Sequence, residues 1–335
     1  MVASGQSSLR WACNVADWAP NPMQMKVLID QESSQEGSRI QNFKKTEDAR
    51  LALMGRVMLR ASASMALQKD AREIKFGRTK GGKPFIQEAE AANRGLNSNV
   101  SHHGRWVALG MEEKGLVGVD VSRTTTPRAN LKCEEFFGHM APNLTPTEWA
   151  AVRRAGETDR EKCFAFFLFW SLKEAYTKAM GMGVALPFGR IQLNIPPEML
   201  CKKLQQNSPR VIRRSGSTSY APKIATNCAR RIEGAVTATL DGIAQDEWEF
   251  ELFYLDEEHV MAVAVGPHSA AVPSWKSAME QLSCAPSSKA STAGIIAGSN
   301  APNDVHNVPK LQSVTNVRIS DLVSGDVAEK YALAV

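Results

Sequence analysis

Three side chains have the types and spacing to do chemistry: Glu174 and Lys178, four residues apart, and Asp120, the one acid in the apolar stretch 116–122, LVGVDVS. Residues at i and i+4 share a helix face. Glu174 and Lys178 therefore either form a solvated pair or stand at the rim of a cleft. In a cleft the carboxylate can hold a metal ion or take a proton, and the ammonium can hold phosphate. An acid in a buried strand is costly unless it is paired, hydrogen-bonded or metal-bound. Asp120 needs a partner, and Glu174 is the candidate.

The elements that position these groups are legible. The stretch 158–183, TDREKCFAFFLFWSLKEAYTKAMGMG, reads as one long helix. Thr158 with Glu161 three residues on has capping-box spacing, and Gly181 and Gly183 can leave the helix at positive φ. The block from Phe164 to Trp170 is apolar nearly all round, so the helix is expected to be buried mid-domain. Thr145-Pro-Thr-Glu148 marks a second capping box with Pro at the first helical position, and residues 47–69 have helical spacing. Trp11, Cys13 and Val15 alternate as in a half-buried strand, 105–110 and 116–122 read as two strands, and 190–195 as another. Residues 248–255 and 259–265 read as a hairpin over Asp256-Glu-Glu.

Cations cluster on three stretches. Residues 76–84, FGRTKGGKP, form a basic glycine turn that suits phosphate, although such turns are usually plain hairpin loops. Arg50, Arg56 and Arg60 lie on the 47–69 helix near Arg39 and, without further context, read as exposed arginines. His102 alone reads as a structural histidine.

Composition bounds the class. The chain has 335 residues, 43% of them hydrophobic, and a net charge of +5. That length suits two domains or one domain of two halves, with a sizeable core. Six scattered cysteines, without ligand-like spacing, read as reduced thiols. The longest apolar run is too short to span a bilayer, and the start of the chain lacks a signal-peptide pattern. A cytoplasmic location is expected, with an organellar address left open by the Ser/Ala-rich, acid-free start. The mild charge suits anionic ligands or an acidic partner, and neither nucleic acid nor membrane is specially indicated.

Gly118-Val-Asp120-Val, followed by Trp170-Ser-Leu-Lys173-Glu174-Ala-Tyr-Thr-Lys178-Ala-Met-Gly-Met-Gly183, resembles the signature pair of the 4′-phosphopantetheinyl transferases, in the large pseudodimeric class. Arg39-Ile-Gln-Asn-Phe43, Arg78-Thr-Lys-Gly-Gly-Lys-Pro84 and Asn99-Val-Ser-His102 agree in order and spacing. The pattern most resembles the eukaryotic aminoadipate-semialdehyde dehydrogenase phosphopantetheinyl transferases, from about residue 10 to residue 265.

The resemblance implies an α+β pseudodimer of two similar α/β halves, each a small antiparallel sheet with a long helix, meeting at a cleft for coenzyme A. Residues 10–135 would form one half, 136–266 the other, and 267–335 a low-complexity flexible tail. It also implies transfer of phosphopantetheine from coenzyme A to a serine of an acyl- or peptidyl-carrier domain, releasing adenosine 3′,5′-bisphosphate. In that reading Asp120 and Glu174 hold Mg²⁺, or Mn²⁺, and Glu174 is also the base. Lys178 neutralises pyrophosphate. Arg39, Arg78, Lys83 and His102 hold the 3′-phosphate and adenine end, within the co-substrate stretches Thr79, Lys80, Gly81, Gly82 and Asn99, Val100, Ser101. Lys173 belongs to the motif without an assignable role. Many bacterial members carry a second acid where this chain has Ser122, which leaves the metal preference open. Two fused halves would complete the cleft in a monomer. The alternative is a non-catalytic homologue that binds coenzyme A or a carrier domain without turnover.

Overall fold

The computed structural model describes residues 8–79, 81–128, 131–201, 230–232, 234–284, 315–316 and 322. The first half contains β1 (Ser8–Asn14), α1 (Pro22–Ile29), α2 (Ser34–Gln41), α3 (Thr46–Leu67), β2 (Phe76–Arg78), β3 (Pro84–Ile86), α4 (Ala89–Asn93), β4 (Asn97–His103) and β5 (Trp106–Glu112). The second contains β6 (Leu116–Arg123), α5 (Cys133–Met140), α6 (Pro146–Arg154), α7 (Asp159–Met180), β7 (Ile191–Asn194), α8 (Pro197–Leu200), β8 (Arg230–Arg231), β9 (Thr237–Leu240), β10 (Ile243–Ala244), β11 (Glu249–Tyr254), β12 (His259–Gly266) and α9 (Pro273–Ser283). A short β13 (Thr315–Asn316) pairs parallel with β1. Each half sets a 22-residue helix, α3 or α7, against a four-stranded sheet, in the orders β13-β1-β5-β4 and β6-β12-β11-β8.

Local signals account for the second long helix. Thr158 and Glu161 form the capping box, and Gly181 closes α7 at φ 82°, where a left-handed residue satisfies the last carbonyls. The aromatic block is buried as expected. The Phe166 ring centroid lies 5.1–5.6 Å from those of Phe136, Phe137, Trp149 and Phe167. Cys133 and Cys163 meet in this core, with their sulfurs 3.0 Å apart.

Four findings bear on the expectations from sequence. In place of a sheet shared with β5, β6 pairs along its length with β12 and lies under α7. Within the expected tail, α9 buries Trp275 and Met279 against the second-half core. Strand β1 is buried on both faces, because its outer side meets the other half. Arg56 and Arg60 are not exposed. Both pair with the buried Glu32 and lie over Phe76. The expected loop at 201–234 and linker at 285–303 lie outside the described residues almost entirely.

The halves meet along β4 and β6 without backbone pairing. Asn97 Oδ1, Asn99 Oδ1 and Ser101 Oγ accept from the amides of Val117, Val119 and Val121, at 2.9, 2.8 and 3.2 Å. Alternate residues of a strand share a face, so one polar face of β4 closes one edge of β6. Arg10 adds a buried two-point ion pair to Glu251 across the same seam. Val117, Val119 and Val121 pack there against Ala12, Trp106 and Ala108. On the other face of β6, Gly118 lies so close to α7 that a Cβ would overlap the Ala175 carbonyl oxygen and the Ala179 amide nitrogen.

Lys173, unassigned from sequence, is a strut. Its ammonium is fully buried and donates to Glu148 Oε2 at 2.6 Å and to the carbonyls of Asn143 and Phe188. Glu148 also accepts from the Thr145 and Leu193 amides. Removing one partner leaves a buried charge, so Lys173→Met should lower stability by about 3–5 kcal/mol, read from the urea midpoint. A loss under about 1 kcal/mol would put the pair on the footing of a surface bridge. Gly118→Ala should cost about 3 kcal/mol by forcing α7 off β6; a wild-type midpoint would contradict that contact.

Candidate active site

The three chemical side chains meet where α7 lies on β6. Gly118 permits the close approach, and Asp120, two residues on, faces the same helix. Lys178 Nζ lies 2.6 Å from Asp120 Oδ1 and donates to Ser101 Oγ at 3.1 Å. Ser122 Oγ donates to Asp120 Oδ2 at 2.6 Å. Asp120 therefore takes Lys178, not Glu174, as its direct partner. Glu174 is half-buried and lies in the field of the pair. Burial raises its carboxyl above the usual range; Lys178 opposes this, and the neighbouring Asp120 charge adds to it.

A cavity of about 320 Å³ opens beside this cluster, walled by α2, α3, the β2–β3 hairpin, β4 and the end of α7. Arg39 and Arg78 line it, as do Gly81, Gly82, Asn99, Val100, His102 and Lys178. Both arginines are anchored by Glu36, through contacts of 2.6 Å from Arg39 and 3.0 Å from Arg78. Partial burial works to raise the Glu36 carboxyl. The Arg39 hydrogen bond and the charges of Arg78, Arg56 and Arg39 outweigh it, so the carboxyl sits below its usual range. Two guanidinium groups share one carboxylate, which leaves net positive charge on that wall. His102 is held below the usual imidazole range by desolvation against the wall and then by Lys178.

The hairpin turn is closed by Gly82 N–H donating to the Thr79 carbonyl and by Lys83 N–H donating to Thr79 Oγ1. Gly82 has φ 81°, a backbone region that glycine enters freely. Arg78 reaches the Gly82 carbonyl at 2.8 Å. Lys80 lies outside the described residues. Lys83 also lines the cavity, with its ammonium turned to partners inside the chain. Its buried ammonium donates to Asn97 Oδ1, the Val117 carbonyl and the Ala179 carbonyl, and burial pushes it down to about 7. With its donors engaged, Lys83 joins the hairpin to the seam and to the end of α7. Asn99 and Ser101 likewise serve the seam. Glu36 escaped the sequence reading, although its i, i+3 spacing to Arg39 was a signal. So did Asn97, whose signal was polar alternation along β4.

The residues suit a hard cation in an open site. Among the described residues no three His, Cys, Asp or Glu side chains gather as in a closed metal site. Two carboxylates with a hydroxyl nearby match Mg²⁺, which binds through one or two carboxylates and completes its shell with water and phosphate oxygens. Among the described residues no helix is long and apolar enough to cross a membrane.

Known proteins match both halves of the chain. Residues 16–114 match the family model described as 4′-phosphopantetheinyl transferase, N-terminal, and residues 116–264 match that of the 4′-phosphopantetheinyl transferase superfamily. The junction of the two matches falls where the structure changes sheet. A phosphopantetheinyl transferase of Thraustochytrium sp. is 31% identical over 263 residues, covering 78% of this chain and 79% of that protein. The L-aminoadipate-semialdehyde dehydrogenase-phosphopantetheinyl transferase of Rattus norvegicus is 27% identical over 265 residues, covering 79% and 76%. A 4′-phosphopantetheinyl transferase of Bacillus subtilis is 28% identical over 163 residues, covering 49% of this chain and 66% of that protein. With α3 and α7 each set on its own sheet and the two family models meeting at the junction of the halves, the chain belongs to the 4′-phosphopantetheinyl transferase superfamily.

Proposed function

We propose that this protein transfers the phosphopantetheine arm of coenzyme A to a serine hydroxyl of acyl- or peptidyl-carrier domains, with Mg²⁺ held by Asp120 and Glu174, and releases adenosine 3′,5′-bisphosphate. The observation that carries the reading is that Lys178 lines a cleft with Arg39, Arg78 and His102 and is paired with Asp120, with Glu174 in the field of both. A displacement at phosphorus calls for positioning, charge neutralisation and a base for the incoming hydroxyl.

Each residue has a part that its surroundings suit. Arg39 and Arg78, held by Glu36, take the 3′-phosphate, with His102 beside them. Lys178 neutralises pyrophosphate oxygens. Glu174 takes the proton of the carrier serine. Its oxygen attacks the phosphorus on the pantetheine side, a new phosphate ester forms, and the anhydride bond to the departing adenosine bisphosphate breaks. A carboxyl raised by burial is the better base for this step. A bound Mg²⁺ would supply charge stabilisation to the pyrophosphate. Ser122 keeps Asp120 Oδ2 oriented where other members have a second acid. Carrier domains of fatty-acid, polyketide or peptide synthesis, or of an aminoadipate reductase, all suit the net charge of +5.

The reading is checked by mass spectrometry of a purified apo carrier protein incubated with this protein, coenzyme A and Mg²⁺. A gain equal to the phosphopantetheine arm is expected, and it should be absent without the metal. Coenzyme A binding with no gain on any of several unrelated carriers would favour a binding homologue. Glu174→Gln should lower transfer by about 10²-fold or more with coenzyme A binding kept; transfer near the wild-type rate would remove Glu174 from its role as base. Asp120→Ala should abolish the Mg²⁺ dependence with most of the activity, and an unchanged Mg²⁺ titration would contradict its place as a ligand.

A further inference from the structure

Asp120 is fully engaged within the chain. Lys178 holds Oδ1 at 2.6 Å and Ser122 holds Oδ2 at 2.6 Å. The carboxylate is nearly buried, with 8% of its side chain exposed, whereas the Lys178 side chain is 28% exposed. Of these partners, the ammonium is the one with room to move.

We infer that Lys178 is the resident counter-ion of Asp120 in the metal-free enzyme, that it competes with a divalent cation for Asp120 Oδ1, and that coenzyme A relieves the competition by drawing the ammonium onto its pyrophosphate. The inference rests on the function proposed above. Two cations on one carboxylate oxygen would stand within about 4 Å of each other, where repulsion in a partly buried site far exceeds thermal energy. Among the described residues the other cleft cations are committed elsewhere, Arg56 to Glu32. Lys83 is locked on Asn97 and two carbonyls, and Arg39 and Arg78 are anchored by Glu36. Ser101 Oγ holds the ammonium on its second side at 3.1 Å, so Asp120, Lys178 and Ser101 form a closed set of contacts. An anionic co-substrate offers Lys178 a second place to go. Metal and coenzyme then bind with positive coupling, and by linkage each raises the affinity of the other by the same factor.

The test is calorimetric titration of the full chain with Mn²⁺, without and with saturating coenzyme A, for the parent and for Lys178→Met. Without coenzyme A, Lys178→Met should bind Mn²⁺ about tenfold tighter than the parent. Addition of coenzyme A should tighten Mn²⁺ binding to the parent by about tenfold more than to the variant, in which only the direct attraction between metal and pyrophosphate remains. Lys178→Arg, which keeps the charge, should not show the gain. Arg39→Gln removes a cleft cation that does not touch Asp120, and it should change Mn²⁺ affinity less than Lys178→Met. Melting temperatures confirm that each variant is folded. Mn²⁺ binding to Lys178→Met no tighter than to the parent overturns the inference, as does an equal gain in Arg39→Gln, which would signal a general field. If the parent still loads the apo carrier, only the competition fails. No Mn²⁺ binding to the parent and no mass gain on the carrier would sink the proposed function with it.

Discussion

Strand β6 is bonded along one edge by backbone to β12 and along the other by the side chains of Asn97, Asn99 and Ser101. A buried amide left without a partner costs about 1–3 kcal/mol, so these three acceptors keep the strand between the halves from being an open edge. They also set the register between the halves. Ser101, the last rung, reaches Asp120 and Lys178 as well as the Val121 amide. The seam and the chemistry therefore share an atom, and a shift of one rung would move the acid relative to the cleft.

Three lysines near the site show how burial sorts like residues into unlike tasks. Lys173 and Lys178 belong to one motif but lie roughly 140° apart around α7 at 3.6 residues per turn. One faces Glu148 and the second-half core; the other faces Asp120 and the cleft. Lys83 comes from a turn that suits phosphate, yet its ammonium is drawn under the hairpin to three oxygen acceptors. A buried ammonium needs such acceptors more than a surface one does, and the end of α7 supplies one as the Ala179 carbonyl. The net positive wall of the cleft thus comes from Arg39 and Arg78, oriented by Glu36, with Lys178 at the boundary between cations and acids.

The halves are alike in plan and unequal in elaboration. α3 and α7 have the same length and each covers one sheet. The second half adds the aromatic cluster around Phe166 and the Lys173–Glu148 network, both on the side of α7 away from β6, and α9 beyond the end of α7. α7 is thereby held from behind by packing and buried charge and in front by the backbone contact at Gly118. A helix fixed on both sides can present Glu174 and Lys178 with little freedom, which is what positioning at phosphorus requires.

The sequence by itself determined the elements and the chemical triad. Capping boxes at Thr145 and Thr158, the glycine stop at Gly181, the apolar block of α7 and the lone acid of β6 are signals within one helix turn or one strand, where periodicity and cap chemistry act locally. Tertiary structure decided the pairings. That Asp120 takes Lys178 in place of Glu174, that Lys83 is a strut, that Arg56 and Arg60 clamp Glu32, and that β6 belongs to the second half all depend on residues brought together from distant parts of the chain. An ion pair or a side-chain ladder between strands leaves no periodic trace in either segment. Its partner is chosen only when the sheets meet and the cost of burying each polar group has to be offset.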